Sequence, residues 1–300
     1  MDRLLNIFGV AVLVRAAKAL SRDQGTLASA AIAYYAFLSV FPLAIAVILI
    51  FSMFMPEEEI RQDVTQFLEE NVPASVGVID DAINGVLSNP GTAGIVSILV
   101  LIWTGSAVFG AITQVINRAW AVEETPPFYI QKAKQLLEAV SVTAVVGLSI
   151  AITAVVGIAS GLPGPFAEDS GAGGRIISEV TSRGASLLLS FLVFVLIYYF
   201  VPNTETAFRG VLPGAIFAAI AFEIGKGLFV WYMSEFASFG ETYGPLAGAV
   251  VLLVWLYYSA LILVFGAEFN VAWWAEKEER EGHPMPAPGH GASRRAVPHG

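Results

Sequence analysis

The sequence predicts an all-α polytopic membrane protein. It has six transmembrane helices, an N-terminal interfacial helix, and amphipathic helices in the first external loop. Three observations predict this. Charged residues make up 14% of the 300 and apolar ones 56%, whereas a soluble domain carries roughly a quarter charged residues. Six stretches reach or approach the roughly 20 apolar residues that cross a bilayer. Finally, Lys and Arg collect in alternate loops, as the positive-inside rule requires.

The elements follow in order. Residues 1–26 hold an apolar run, Leu4 to Val14, then Arg15, Lys18 and Arg22. A cleaved signal peptide is the rival reading, since Ala17-Lys18-Ala19 mimics a cleavage site, but Arg15 and Lys18 sit where such a peptide is neutral. The preferred reading is an amphipathic helix on the cytoplasmic surface, its basic residues toward lipid headgroups. The membrane domain covers residues 27–275, with spans at about 27–55, 93–116, 136–159, 185–201, 211–234 and 243–274. The fourth is short, and Ile176, Ile177 and Val180 offer it an amphipathic lead-in. Residues 162–175, rich in Gly and Pro, read as an external loop. Residues 276–300 read as a disordered cytoplasmic tail.

In the first external loop, Ile60, Val64, Phe67 and Leu68 share one helical face, and Val76, Ile79, Ile83, Val86 and Leu87 another. Its acids, from Glu57 to Asp81, face Arg61 alone. A solvated acidic surface is the plainer reading, and a cation-attracting vestibule the sharper one.

Topology rests on a count. One side collects Arg3, Arg15, Lys18, Arg22, Arg118, Lys132, Lys134, Arg209, Lys277, Arg280, Arg294 and Arg295, which is twelve; the other has Arg61, Arg175 and Arg183, which is three. Six spans with both termini in the cytoplasm follow.

Composition also excludes chemistry. The chain has no cysteine, so disulfides and thiolate metal sites are out. Its three histidines, His283, His290 and His299, lie in the tail, which leaves none in the apolar body for acid–base work. No metal site and no cofactor are expected. A net charge of -9 argues against nucleic acid as a partner; membrane lipids, and a lipid or anionic substrate, are the expected partners.

Polar residues inside the spans are the candidates for function, because a charge there costs roughly 2.5–3.5 kcal/mol even on lenient scales. Glu223 lies at the centre of the fifth span with Lys226 one turn on. Two readings stand level: a self-neutralising pair that pins helices together, and a carboxylate that couples a proton or substrate. Gln114, Asn117 and Arg118 cluster at the cytoplasmic end of the second span beside Trp120. An anchor with an interfacial Trp is the plainer reading there, and contact with lipid phosphate or an anionic substrate the sharper one. Glu268, near the inner end of the sixth span, matches Arg118 in depth as an ion-pair partner. Pro42 removes a backbone hydrogen bond from the first span and is the candidate hinge. Gly225, Gly227, Gly244, Gly248 and Gly266 are expected to allow close helix approach.

Five segments carry a family resemblance: Ala33-Tyr-Tyr-Ala-Phe-Leu-Ser-Val-Phe-Pro42, Asn117-Arg-Ala-Trp120, Phe222-Glu-Ile-Gly-Lys226, Tyr243-Gly-Pro-Leu-Ala-Gly248 and Leu263-Val-Phe-Gly-Ala-Glu-Phe269. In their order and spacing the chain resembles the YihY / virulence factor BrkB family of integral membrane proteins, older members of which carried the label ribonuclease BN. The resemblance implies a multi-pass protein of the inner or plasma membrane, with some relatives associated with envelope lipid export or serum resistance. It brings no catalytic set. RNA cleavage wants acid–base groups or a metal cluster on a basic surface, and neither is present. The expectation is a non-enzymatic transporter or exporter of a lipid or amphipathic anion; an envelope scaffold is the alternative.

Overall fold

Among the described residues, apolar runs with few breakers produce six long helices. The computed structural model describes residues 8–51, 90–122, 127, 129–134, 137, 172–204, 206–235 and 247–282. The long helices among them are α1 (Phe8–Arg22), α2 (Gly25–Phe51), α3 (Pro90–Ala119), α4 (Ala172–Phe200), α5 (Phe208–Glu235) and α6 (Ala247–Glu281). No strand occurs among the described residues. The expected amphipathic helices of the first external loop, Gly244, and the span at 136–159 apart from Leu137 lie outside them.

Among the described residues, two segments are long and apolar enough to cross a membrane, Phe208–Phe229 within α5 and Ala249–Glu281 within α6. The distribution of side chains on α5 is the inverse of an aqueous helix. Ala215, Ala218 and Ala219 are buried, while Ile216, Ile220, Ile224 and Leu228 are exposed at every fourth position. In water each exposed large side chain forgoes about 1.5–3 kcal/mol of burial. In lipid that cost vanishes, and small residues belong inside because they let helix backbones approach.

The described helices fall into two compact units. The first comprises Met1–Ser29, Phe109–Leu228 and Leu261–Gly300, the second Ala30–Val108 and Phe229–Ala260. Within the second, Phe229 packs on Trp255 with ring centroids 4.7 Å apart.

In the first unit, α1 docks on α6. Val12 and Ala16 bury against Phe269 and Ala272, with Phe8 and Trp273 alongside. Arg15 sits 3.2 Å from Glu276 and 2.6 Å from Glu279. Phe8, Val12 and Ala16 therefore pack on another helix, and Arg15 faces carboxylates of α6. With 35 residues at 1.5 Å each, α6 is roughly 52 Å long, an extension well past the about 30 Å of a bilayer core.

That extension corrects the expected boundary of the tail. Residues 276–281 are helical, held by the Arg280–Glu276 pair at 2.6 Å and Lys277–Glu281 at 3.8 Å. The helix stops at Gly282, whose φ of +66 ends it in the left-handed form. At the other side of the chain, α4 begins at Ala172, so residues 172–175 are helix rather than loop.

Helices α5 and α6 cross closely at Gly214 and Gly266. A Cβ on Gly214 would overlap the Gly266 carbonyl and sit 2.5 Å from the Asn270 side chain; one on Gly266 would overlap the Tyr198 hydroxyl. Asn270 Oδ1 accepts from the Gly214 amide at 2.7 Å, and Trp274 Nε1 donates to the Gly210 carbonyl at 2.9 Å. Two side chains one turn apart on α6 thus clasp the first turns of α5. Gly266 meets its expectation, whereas Gly227 faces open space.

Candidate functional site

Helices α4 and α5 bring four polar side chains together in an apolar setting. Lys226 follows Glu223 by three residues on α5, which places both on one face, and their Nζ–Oε1 distance is 2.7 Å. From α4, Ser190 donates to Glu223 Oε1 at 2.8 Å, and Ser186 at 3.1 Å. The Ser186 hydroxyl also accepts from Lys226 Nζ at 2.6 Å. The methylene stem of Lys226 carries its ammonium over the Phe222 ring, 5.4 Å from the centroid. The site is not sealed, since 24% of the Glu223 side chain and 34% of Lys226 remain accessible.

Charge balance explains why this cluster is tolerated. Each ion keeps its counter-ion and gains neutral hydrogen bonds, which offset part of the desolvation cost. Ser186 and Ser190 were not singled out from sequence. The available signal was their i,i+4 spacing, which sets two hydroxyls on one face of an otherwise apolar run.

The second candidate group divides. Asn117 is buried, and its Oδ1 accepts from the Asn203 amide at 2.9 Å, which ties α3 to the α4–α5 connection. Lys134 reaches the same connection, with Nζ donating to the carbonyls of Val201 at 3.0 Å and Pro202 at 2.7 Å and to Asn203 Oδ1 at 2.8 Å. It thereby satisfies carbonyls that the end of α4 leaves open. Gln114 and Arg118 are exposed on α3. Trp120, read above as an interfacial residue, is buried.

Arg118 does not pair with Glu268. Its Nη1 donates to the Asp23 carbonyl at 3.0 Å, at the turn between α1 and α2. Glu268 is 2% exposed, and its Oε2 has no hydrogen-bond partner among the described residues. The charges that act on it come from Arg22 and Asp23. Those two bond each other, Nε to Oδ1 and Nη2 to Oδ2, both at 3.0 Å. The Asp23 hydrogen bonds and charge hold the Arg22 guanidinium above its ordinary value. Depth along a helix is legible in sequence, but which face meets which neighbour is not, and the expected Arg118–Glu268 pair failed on that point.

Pro42 lies buried within α2, which continues to Phe51. Among the described residues no three acids or histidines gather closely enough to hold a metal ion.

Comparison with known proteins agrees with this architecture. The family model described as "Virulence factor BrkB" matches residues 16–290. A protein of Bacillus subtilis named as ribonuclease-like, YfkH, is 29% identical over 251 residues, covering 82% of this chain and 89% of its own. A UPF0761 membrane protein of Pseudoalteromonas translucida is 32% identical, covering 83% and 81%. Another from Alteromonas mediterranea is 28% identical, covering 89% and 87%. No solved structure matches the chain. With the match running through nearly all of the helices just described, the chain belongs to the virulence factor BrkB family of integral membrane proteins.

Proposed function

We propose that the protein is a transporter or exporter of a lipid or amphipathic anion, with Glu223 and Lys226 on its path. In this reading six spans cross the plasma (inner) membrane, both termini are cytoplasmic, and Pro42 serves as a hinge. The observation that carries it is the accessible ion pair of α5. A charged pair within an apolar helix is expensive, and one needed only to join helices gains nothing from accessibility. The group has an acid, a base and two hydroxyls, which can bind and exchange ions.

The test is flux of lipids and organic anions in liposomes that contain the purified protein, with Glu223→Gln alongside. Wild-type flux that the folded variant loses is the expected outcome. Flux unchanged in the variant would remove Glu223 from the path.

One observation favours a second reading, a non-transporting envelope scaffold. Both charges are already hydrogen-bonded across α4 and α5, as a structural clasp requires. Under that reading no flux occurs, and Glu223→Gln lowers the melting temperature instead.

A further inference from the structure

The donors around Glu223 are distributed unevenly. Lys226 Nζ at 2.7 Å, the Ser190 hydroxyl at 2.8 Å and the Ser186 hydroxyl at 3.1 Å all converge on one oxygen, Oε1. Among the described residues Oε2 receives just the longer branch of the Ser186 hydrogen bond, at 3.4 Å. A carboxylate oxygen has two lone pairs in the plane of its group, so three donors exceed what Oε1 can accept in good geometry. A tetrahedral phosphate has several terminal oxygens that fan outward and can take such donors one or two apiece.

Around this cluster the accessible surface is apolar. Leu187 and Leu188 on α4 and Ile220, Ile224 and Leu228 on α5 are all exposed. A ligand reaching the cluster from the membrane has therefore to carry its charge on an apolar body.

We propose that Lys226, Ser186 and Ser190 form a cradle for the phosphate head of a single-tailed or double-tailed amphiphile, and that Glu223 is a resident surrogate displaced when this ligand binds. The inference rests on the transport reading for its physiological setting, but the cradle itself is a binding site and is tested as one. Lys226 neutralises the incoming phosphate, and the two hydroxyls orient it. Glu223 leaves Oε1's three donors to the ligand. Its carboxyl then takes up a proton, because a second anion beside the first is repelled. Lys226 is the charged group acting on Glu223 among the described residues.

Binding of a fluorescent long-chain alkyl phosphate to the full-length protein in non-ionic detergent tests this, with a carboxylate of matched chain length alongside. Wild type should bind the phosphate more tightly than the carboxylate. Its affinity should fall by up to about tenfold per pH unit as pH rises, as expected when one proton enters with each ligand. Glu223→Gln should bind the phosphate several-fold more tightly and without that pH dependence. Glu223→Gln combined with Lys226→Met, which leaves no unpaired charge to threaten folding, should lose about 10- to 100-fold relative to Glu223→Gln, since a hydrogen bond to a charged group is worth roughly 1.5–3 kcal/mol.

Equal affinity for carboxylate would overturn the phosphate assignment. Weaker binding by Glu223→Gln than by wild type would overturn the surrogate role, and retained binding in the double variant would overturn the cradle. Binding in the expected pattern with no flux in liposomes would refute the transport reading and leave the cradle standing. Flux without this pattern would do the reverse.

Discussion

Replacing Gly266 with alanine adds one methyl group where the structure has no room for it. The new Cβ would overlap the Tyr198 hydroxyl and stand 3.0 Å from the Ala218 Cβ and 3.2 Å from Tyr198 Cζ. Tyr198 is fully buried, and its hydroxyl donates to the Leu263 carbonyl at 2.7 Å. Two responses are open. Tyr198 can rotate away and leave a buried hydroxyl unbonded, at about 1–3 kcal/mol. Alternatively, α6 can move off α4 and α5, at about 1–3 kcal/mol of overpacking strain. Alanine's better helix propensity returns up to about 1 kcal/mol, so the expected net loss is about 0–2 kcal/mol against wild type, and about 1–3 kcal/mol against a Gly→Ala change that gains the propensity without the clash.

The assay is thermal or denaturant unfolding of the purified protein in detergent, with Gly227→Ala as reference because nothing lies within 4 Å of a Cβ there. That reference should be neutral or slightly stabilising. Tyr198→Phe removes the oxygen that the added methyl group would strike, so the double variant should recover much of the loss, a coupling of about 1 kcal/mol or more. If Gly266→Ala unfolds no earlier than Gly227→Ala, the close crossing of α4, α5 and α6 at this point is wrong.

Two further outcomes follow from local geometry. Ala121 has φ of +51 at the end of α3, where the Val122 amide bonds the Asn117 carbonyl at 2.9 Å and the Ala121 amide the Arg118 carbonyl at 3.1 Å. In this Schellman arrangement Ala121→Gly should stabilise by about 0.5–1 kcal/mol, the relief of left-handed strain less the entropy glycine adds to the unfolded chain; a lower melting temperature would refute it. Asn270→Ala should cost about 0.5–1.5 kcal/mol by removing the hydrogen bond from the Gly214 amide across the crossing, and faster hydrogen exchange at that amide is the direct readout. Unchanged exchange would mean that α5 satisfies Gly214 without α6.

The candidate site was partly legible in the sequence. Glu223 and Lys226 stood out because a charge in an apolar run is rare and costly, and their i,i+3 spacing announced the pairing that the structure contains. Ser186 and Ser190 did not, since serine is tolerated in membrane helices by bonding its own backbone, as Ser29 does to Gly25. Arg118 and Glu268 show the opposite error. They share a depth, yet Arg118 turns to the Asp23 carbonyl, and Glu268 is buried where Arg22 and Asp23 supply the nearby charge. Among glycines, Gly214 was passed over, although its crossing with Gly266 is tighter than anything at Gly227.

That the molecule is a helical membrane protein was legible without coordinates. Hydropathy and charge are sums over contiguous residues, and a bilayer reads those sums directly: a long run without charges must satisfy its backbone internally, as helix. What each helix face meets came only from the packed fold. Tyr198 with Leu263, Gly214 with Asn270, Arg15 with Glu276, and the α4 serines with the α5 carboxylate join residues on different helices. Their meeting depends on the rotation and height of each helix against its neighbours. Packing of all the side chains at once sets those variables, and no local pattern carries them.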